Sequence, residues 1–591
     1  MEKNDERRTR YRLRSSERSK GKMTEEAKRR VEQKESFYTR AEKHECFEEV
    51  PIYVVELPTK EHNRPDVKEA KRKEIENLKS FNTFEEVDDE GQEVIDSRWV
   101  ITEKEEHDGQ KSKIKARIVA KGFQEAEKPQ SDSPTVSRES LKMFVAIAAN
   151  ENFKICSMDI TGAFLQADKL DRDVFLKPPL DIRKERPGIL WKLVKPLYGL
   201  DDSSRKFYLR VKKMFLKKEM KILPSDYAYF YYRKGDKLVG QAVIHVDDFF
   251  IAGTDEFLDW FEQMVKNNLK VSRVEHGRFR FTGVDIFQDG NKIEVSMNAY
   301  ANSLVPIEDF RKGENTEELN ALELKIYRKY TGKLLWLAEN CRPDIAYLAN
   351  QLSKKSHLAT LSDLKFVNKV LKKVKERDNV VVYSAVGARE ELVVKNMSDA
   401  SYLKARDSVG GSLVMMGTAN SHKLVPLYWK SKGITKISTS TKDAETHALF
   451  KSVGDAAFAA TNIETLLYDD SQNRIKVQSF IDSKPLLETL ASTRIVENKF
   501  LIAEVNALKK LLEDGVVQDY TWVETGDQLA DVLTKDMHEP CSFRDVFLRN
   551  SSDMLRFSRN PKAVLKIHNV GTEDENKEIR LENSDKCKKD V

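Results

Sequence analysis

Residues 242–253, AVIHVDDFFIAG, place two adjacent aspartates between two apolar runs. Short apolar runs of this kind belong in the strands of a packed core. Strand side chains alternate faces, so neighbouring carboxylates inside a regular strand point opposite ways. A tight hairpin with Asp247 and Asp248 at its tip escapes that alternation, and two-residue turns tolerate Asp. Side by side, the two charges repel unless a cation lies between them. The segment therefore predicts either a solvated turn or a divalent-metal site.

A third carboxylate on a neighbouring strand end favours the metal. Asp159 ends the apolar strand FKICSMDI, after which the chain turns through Thr161–Gly162. Carboxylates from separate strands hold two divalent ions about 4 Å apart in sites that activate a 3′-hydroxyl and steady a leaving pyrophosphate. Magnesium takes hard oxygen ligands and keeps several waters, so a few carboxylates plus substrate phosphates suffice. The segment KSKIKARIVAKG supplies Lys113, Lys115, Arg117 and Lys121 around one apolar strand pattern. Such cations either guard a sheet edge or meet phosphate.

A chain of 591 residues has room for roughly three or four domains. Charged residues make up 34% of it, and no run approaches the roughly 18 uninterrupted apolar residues of a membrane span. The five cysteines (46, 156, 341, 541, 587) are dispersed, without a CxxC pair or zinc spacing. With no secretory signal at the N-terminus, this predicts a reducing compartment, cytoplasmic or nuclear, and not secretion. The net charge of +5 is a weak pointer to a polyanion partner, but residues 1–22 alone carry nine Lys/Arg against four Asp/Glu. That basic arm is either a solvated tail or a nucleic-acid contact.

From about residue 65 a helical stretch leads into strands, the helix SLKMFVAIAANEN, the strand with Asp159, the helix SSRKFYLRVKKMFLKKE and the DD hairpin. Residues 306–391 read as mostly helical. A second pattern begins near 392: three strands, the helix STKDAETHALFKSVGDAAFAATNIETLL, then alternating strands and helices, which suggests a separate α/β domain. It carries its own acids at element ends. Asp399 ends a strand, Glu445 follows the capping pattern Ser440-x-x-Asp443, Asp482 ends KVQSFID, and Asp531 opens a helix in DQLADVLTK. Any one of these reads equally as a cap; four on alternating units suggest a second metal site.

At this point the blocks KARIVAKGFQE, MDITGAFLQADKLDRDVFLKPP, KPLYGLDDSSRKFY, HVDDFFIAG and YTGKLLWLAENCRPDIAYLANQLSK resemble, in order and spacing, the reverse transcriptases of copia-type LTR retrotransposons over about residues 65–360. YWKSKGITKISTSTKDAETHAL, FIDSKPLLETLA and VETGDQLADVLTK resemble the ribonuclease H domain of the same Pol polyproteins over about 393–537. The resemblance implies an α+β right-hand polymerase with fingers, palm and a thumb-like region, then an α/β ribonuclease H-like domain. Its bounds run as a basic leader at 1–64, fingers and palm at 65–305, a helical thumb or connection at 306–392, the nuclease at 393–540 and a tail at 541–591, largely disordered from about 569. It implies Asp159, Asp247 and Asp248 as polymerase metal ligands. Lys115, Arg117, Phe164, Gly199 and Arg205 become substrate contacts. Asp399, Glu445, Asp482 and Asp531 become the nuclease ligands, with two Mg²⁺ (or Mn²⁺) ions in each site. The implied partners are an RNA template, a DNA primer, the RNA–DNA hybrid and deoxynucleoside triphosphates.

The chain also departs from the family pattern. His245 stands where tyrosine usually precedes VDD; Asp201 and Asp202 replace a lysine and a glutamine after LYGL, and Ser204 a proline. Thr446 follows the nuclease glutamate in place of tyrosine, and NKFLIAEV replaces a KHID-like stretch. An acid beside a polyanion pocket weakens attraction. Two readings follow: a reverse transcriptase with ribonuclease H activity, or a catalytically weakened, nucleic-acid-binding relic.

Overall fold

The computed structural model describes residues 54–104, 113–308, 310–402, 407–419, 423–469, 472–494, 496, 498–537, 563–569 and 577–583. Residues 1–53 of the expected leader lie outside them. A mixed sheet near the N-terminus is built on β1 (Val94–Lys104), which pairs antiparallel with β2 (Lys113–Ala120). α1 (Arg138–Asn150) starts where the Ser137 side chain accepts the Ser140 N–H, and its AIAA run is buried.

The central sheet contains β3 (Lys154–Ile160), β4 (Lys221–Leu223), β5 (Asp226–Lys234), β6 (Lys237–His245), β7 (Asp248–Gly253) and β8 (Val271–His276), in the order β8-β3-β7-β6-β5-β4. α2 (Ser203–Leu216) and α3 (Asp255–Lys266) cover one face, where Phe207, Phe215, Phe249 and Phe261 are buried together. Thr254 caps α3, and Asp255 and Glu256 lie in its first turn, where the helix dipole favours acid.

Next comes a four-stranded antiparallel sheet formed by β9 (Arg278–Phe281), β10 (Val284–Asp289), β11 (Lys292–Ser296) and β12 (Val380–Tyr383). Between its last two strands run α4 (Ala321–Asn340), α5 (Ala346–Lys354) and α6 (Leu361–Lys375). Among the described residues no helix is long and apolar enough to cross a membrane.

The last sheet has seven strands: β13 (Leu392–Ser401), β14 (Val409–Thr418), β15 (Leu424–Gly433), β16 (Lys476–Ile481), β17 (Val517–Trp522), β18 (Ala563–Asn569) and β19 (Lys577–Asn583). Their order is β15-β14-β13-β16-β17-β18-β19, with β13, β16 and β17 parallel and the remaining pairs antiparallel. α7 (Thr441–Tyr468) links β15 to β16, while α8 (Lys484–Ala491) and α9 (Ile502–Glu513) link β16 to β17.

Three sequence expectations change here. The segment DQLADVLTK forms a short 3₁₀ turn, Leu529–Leu533, instead of a helix. In the tail expected to be largely disordered from about 569, residues 577–583 form β19, whose Ile579 and Leu581 pack on the main core, while residues 570–576 and 584–591 lie outside the described residues. Finally, the α/β region is not walled off from what precedes it. One apolar cluster runs from α1 through α4–α6 into β13–β17.

Polar contacts fasten the same boundary. Trp429 of β15 donates its indole N–H to the Ala338 carbonyl at 2.8 Å, and Lys142 Nζ lies 3.2 Å from the centre of its ring. Arg233 of β5 donates to the Leu466 and Leu467 carbonyls at 2.9 and 2.6 Å, which satisfies the open C-terminus of α7.

Two candidate carboxylate centres

The first centre grows from the β6–β7 hairpin. Its two-residue tip is Val246–Asp247, and Asp248 is already the first residue of β7, paired with His245; the sequence reading had put both aspartates at the tip. Val246 has φ +59°, a left-handed conformation that a β-branched residue adopts only under strain. That turn bends the chain enough for Asp247 and Asp248 to act at one place.

On its other side β7 pairs with β3, and Asp248 stands opposite Asp159. Directly opposed side chains share one face. The Ser272 hydroxyl on β8 donates to the Asp159 carboxylate and lies 3.0 Å from its carbonyl. Burial, then the charges of Asp247 and Asp159, push the Asp248 carboxyl up to about 6. Burial and the Asp159 charge raise Asp247 as well, while Arg117 and Lys115 pull it down. The structure thus brings the three aspartates together, with two β2 cations in electrostatic reach.

Phe164 and Arg117 meet on a residue that sequence reasoning passed over, Tyr198. The Phe164 ring centre is 5.2 Å from that of Tyr198, and the Arg117 guanidinium lies 5.3 Å over the same ring. Burial raises the Tyr198 phenol. The only hint in the sequence was its place beside Gly199. Glu74 was also missed: its carboxyl is raised by burial and lies within electrostatic reach of Arg117 and Lys115.

Gly199 does permit a close approach, but the approach is to β2. At φ +92° a Cβ on it would fall 2.1 Å from the Ala120 carbonyl oxygen. The Tyr198 carbonyl accepts the Ala120 N–H at 2.7 Å, and the Gly199 carbonyl accepts the Gly122 N–H at 3.1 Å. This glycine holds the Tyr198 loop against the strand that carries Lys115 and Arg117.

Arg205 is held by the loop before α1. It donates to the Asp132 carboxylate and carbonyl at 2.8 and 3.0 Å and to Gln130 at 2.9 Å, so it fastens the loop before α1. The two acids after LYGL are compensated where they stand. Asp202 is buried against Arg172, which contacts it at 2.7 and 3.2 Å and reaches Glu125 at 2.8 Å. Asp201 lies 3.6 Å from Lys128.

The second centre lies at the carboxyl ends of parallel neighbours β13 and β16. Asp399 comes from β13, Asp482 follows β16, and Glu445 projects from the second turn of α7. One carboxylate oxygen of each lies within 4.8 Å of the others, the donor set a hard divalent cation takes. The Ala400 N–H donates to Glu445 at 3.3 Å. Burial, then the Asp399 and Asp482 charges, push Glu445 up to about 9. Such mutual repulsion in a buried cluster is relieved by a cation, so the residues fit a metal.

Asp531 joins this group through charge. Burial and Asp399 push its carboxyl up to about 7. Lys535, one helical turn beyond it, lies 3.1 Å from Asp531 and 3.5 Å from Asp399. The Thr534 hydroxyl donates to Asp399. Neither Thr534 nor Lys535 was singled out from the sequence, although both sit in the block that contains Asp531.

Residues 81–323 match the family model described as reverse transcriptase (RNA-dependent DNA polymerase). The chain is 25% identical over 474 residues to the retrovirus-related Pol polyprotein from transposon RE1 of Arabidopsis thaliana, covering 75% of this chain and 31% of that protein. It is 24% identical over 478 residues to the corresponding RE2 polyprotein of the same plant, with the same coverage. The chain therefore spans about a third of the length of these relatives. Among solved structures, the foamy viral protease-reverse transcriptase in complex with double-stranded DNA aligns with TM-score 0.49 and 11% identity, over 86% of this chain and 80% of that one. By its sequence the chain is similar to the copia-type retrotransposon Pol polyproteins over three quarters of its length, and residues 81–323 are the part that matches the reverse transcriptase model.

Proposed function

We propose that the chain is an RNA-directed DNA polymerase that extends a DNA primer on an RNA template and carries a ribonuclease H centre for the hybrid it makes. In this reading residues 65–305 are fingers and palm, 306–392 the connection and 393–540 the nuclease. The observation that carries it is the strand register that sets Asp159 against Asp248, beside Asp247 and within electrostatic reach of the β2 cations.

Asp159, Asp247 and Asp248 would hold the Mg²⁺ ions of the first centre. Asp399, Glu445 and Asp482 would hold those of the second, with Asp531 beside them. When bound, such ions lower the pKa of an attacking oxygen and neutralise charge on a phosphate. Lys115 and Arg117 attract the triphosphate and orient it through charge-assisted hydrogen bonds. Phe164, braced by Tyr198, offers an apolar wall to the sugar. Lys535 balances the nuclease carboxylates between turnovers.

The relic reading drew on Asp201 and Asp202. Their pairing with Lys128 and Arg172 offsets part of the repulsion it assumed, which favours the enzyme. Primer extension on an RNA template, with Asp247→Asn as control, tests the first centre. Extension by the wild type and not the variant is expected, and equal silence of both overturns the polymerase. Cleavage of a labelled hybrid with Glu445→Gln tests the second centre separately.

A further inference from the structure

Between α7 and the β14–β15 strands lies a cavity of about 520 Å³ that none of the seven carboxylates of the two centres lines. Its size is that of a small-molecule site. Lysines 430, 432, 436 and 451 contribute to its wall, together with the apolar side chains of Ile434 and Phe450. Lys436 is paired with Glu504, which cancels the acid nearest to it. The remaining lysines leave the rim positive.

The floor asks for something else. His447, with its side chain only 5% exposed, holds Nδ1 2.5 Å from the Glu504 carboxylate. A ring nitrogen facing a carboxylate carries a proton. Nε2 is buried and has no hydrogen-bond partner among the described residues. Asp455 Oδ2, also lining the cavity, is buried without a close hydrogen-bond partner, while Tyr428, Lys430 and Lys451 lie within electrostatic reach of its carboxyl. Buried polar atoms are almost always satisfied, so two unmet polar atoms in one cavity point to a missing hydrogen-bonding ligand.

We propose that this cavity binds a nucleoside phosphate, its phosphate among Lys430, Lys432 and Lys451, its sugar hydroxyls or base amino group on Asp455 and His447, and its base against Phe450 and Ile434. A bare phosphate leaves the two polar atoms unmet, and a bare nucleoside leaves the surplus lysine charge uncompensated. The site stands apart from both carboxylate centres, and binding to it does not depend on their turnover. Its nucleotide is either free or the phosphorylated end of a strand.

The full-length chain is titrated calorimetrically with AMP in EDTA, alongside adenosine and inorganic phosphate. Saturable AMP binding is expected. Each half-ligand should bind about tenfold more weakly or worse, and Lys430→Glu and Lys451→Glu should each weaken AMP by about tenfold, the scale of one lost charge-assisted contact. Lys115→Glu should leave AMP affinity unchanged, which separates this cavity from the β2 cations. Competition by a 5′-phosphorylated RNA–DNA hybrid, but not by its 5′-hydroxyl form, assigns the ligand to a strand end. AMP binding that neither hybrid displaces assigns it to the free nucleotide. No saturable AMP binding overturns the proposal. So does equal AMP affinity in Lys430→Glu and Lys451→Glu proteins that melt at the wild-type temperature.

Discussion

Arg172 holds Asp202 at 2.7 and 3.2 Å and reaches Glu125 with Nε at 2.9 Å, so one guanidinium bridges two carboxylates beside the LYGL loop. Asp202 is 1% exposed. Removing one partner of a buried pair strands the other charge. Arg172→Ala should cost about 3 kcal/mol in urea unfolding, whereas Arg172→Met combined with Asp202→Leu and Glu125→Gln should recover most of that loss.

Both centres should make the metal-free chain sensitive to alkali. Asp248, Asp531 and Glu445 are raised to about 6, 7 and 9 in the folded protein. A carboxyl raised on folding favours the fold below its unfolded pKa, and that contribution is lost as pH climbs through the folded value. In EDTA the melting temperature should fall between roughly pH 4 and pH 9. Mg²⁺ binds the ionised forms, so the stabilisation it confers should grow over the same range. Glu445→Gln should melt higher than wild type at pH 8 without metal, a difference that calorimetric scans at several pH values would register.

The hairpin tip stores strain that glycine would release. Val246 sits at φ +59°, which costs a β-branched residue roughly 1–3 kcal/mol. Val246→Gly should stabilise the chain by about 1 kcal/mol, after the added entropy of the unfolded glycine is counted. Gly199→Ala should do the reverse and reduce the soluble yield, because its Cβ would collide with the Ala120 carbonyl. Chemical denaturation of the pair reads both signs.

Lys535 places its ammonium 3.1 Å from Asp531 and 3.5 Å from Asp399. Its loss removes a charge that holds the Asp531 carboxyl down. Lys535→Met should therefore shift the pH profile of hybrid cleavage to higher pH and raise the Mg²⁺ concentration needed for half-maximal rate. Primer extension by the same variant should be unchanged.

What the sequence made legible follows from the range of the interactions involved. The DD hairpin could be read because apolar runs and a turn are local, and Asp159 because a strand end is local too. Which aspartate occupies the tip was not legible, since it depends on how β6 and β7 pair. Tyr198, Glu74, Arg172 and Lys535 were missed for a shared reason: each matters through a partner, and only Lys535 has one within a single helical turn. The partners of Arg205, Asp132 and Gln130, were not legible because they lie in a loop with no pattern of its own. The order in β19 was hidden by its charged neighbours, which outweigh the alternation of Ile579 and Leu581.

Arg233 closes the far end of α7 from the edge of another sheet, and Trp429 is anchored to a carbonyl of α4. A break in the chain near residue 390 would strip donors from that helix end and bare the shared apolar seam to water. The two halves are therefore not interchangeable modules. Severed, the C-terminal portion should come out of a cell as aggregate, and expressing the N-terminal portion alongside it should rescue it.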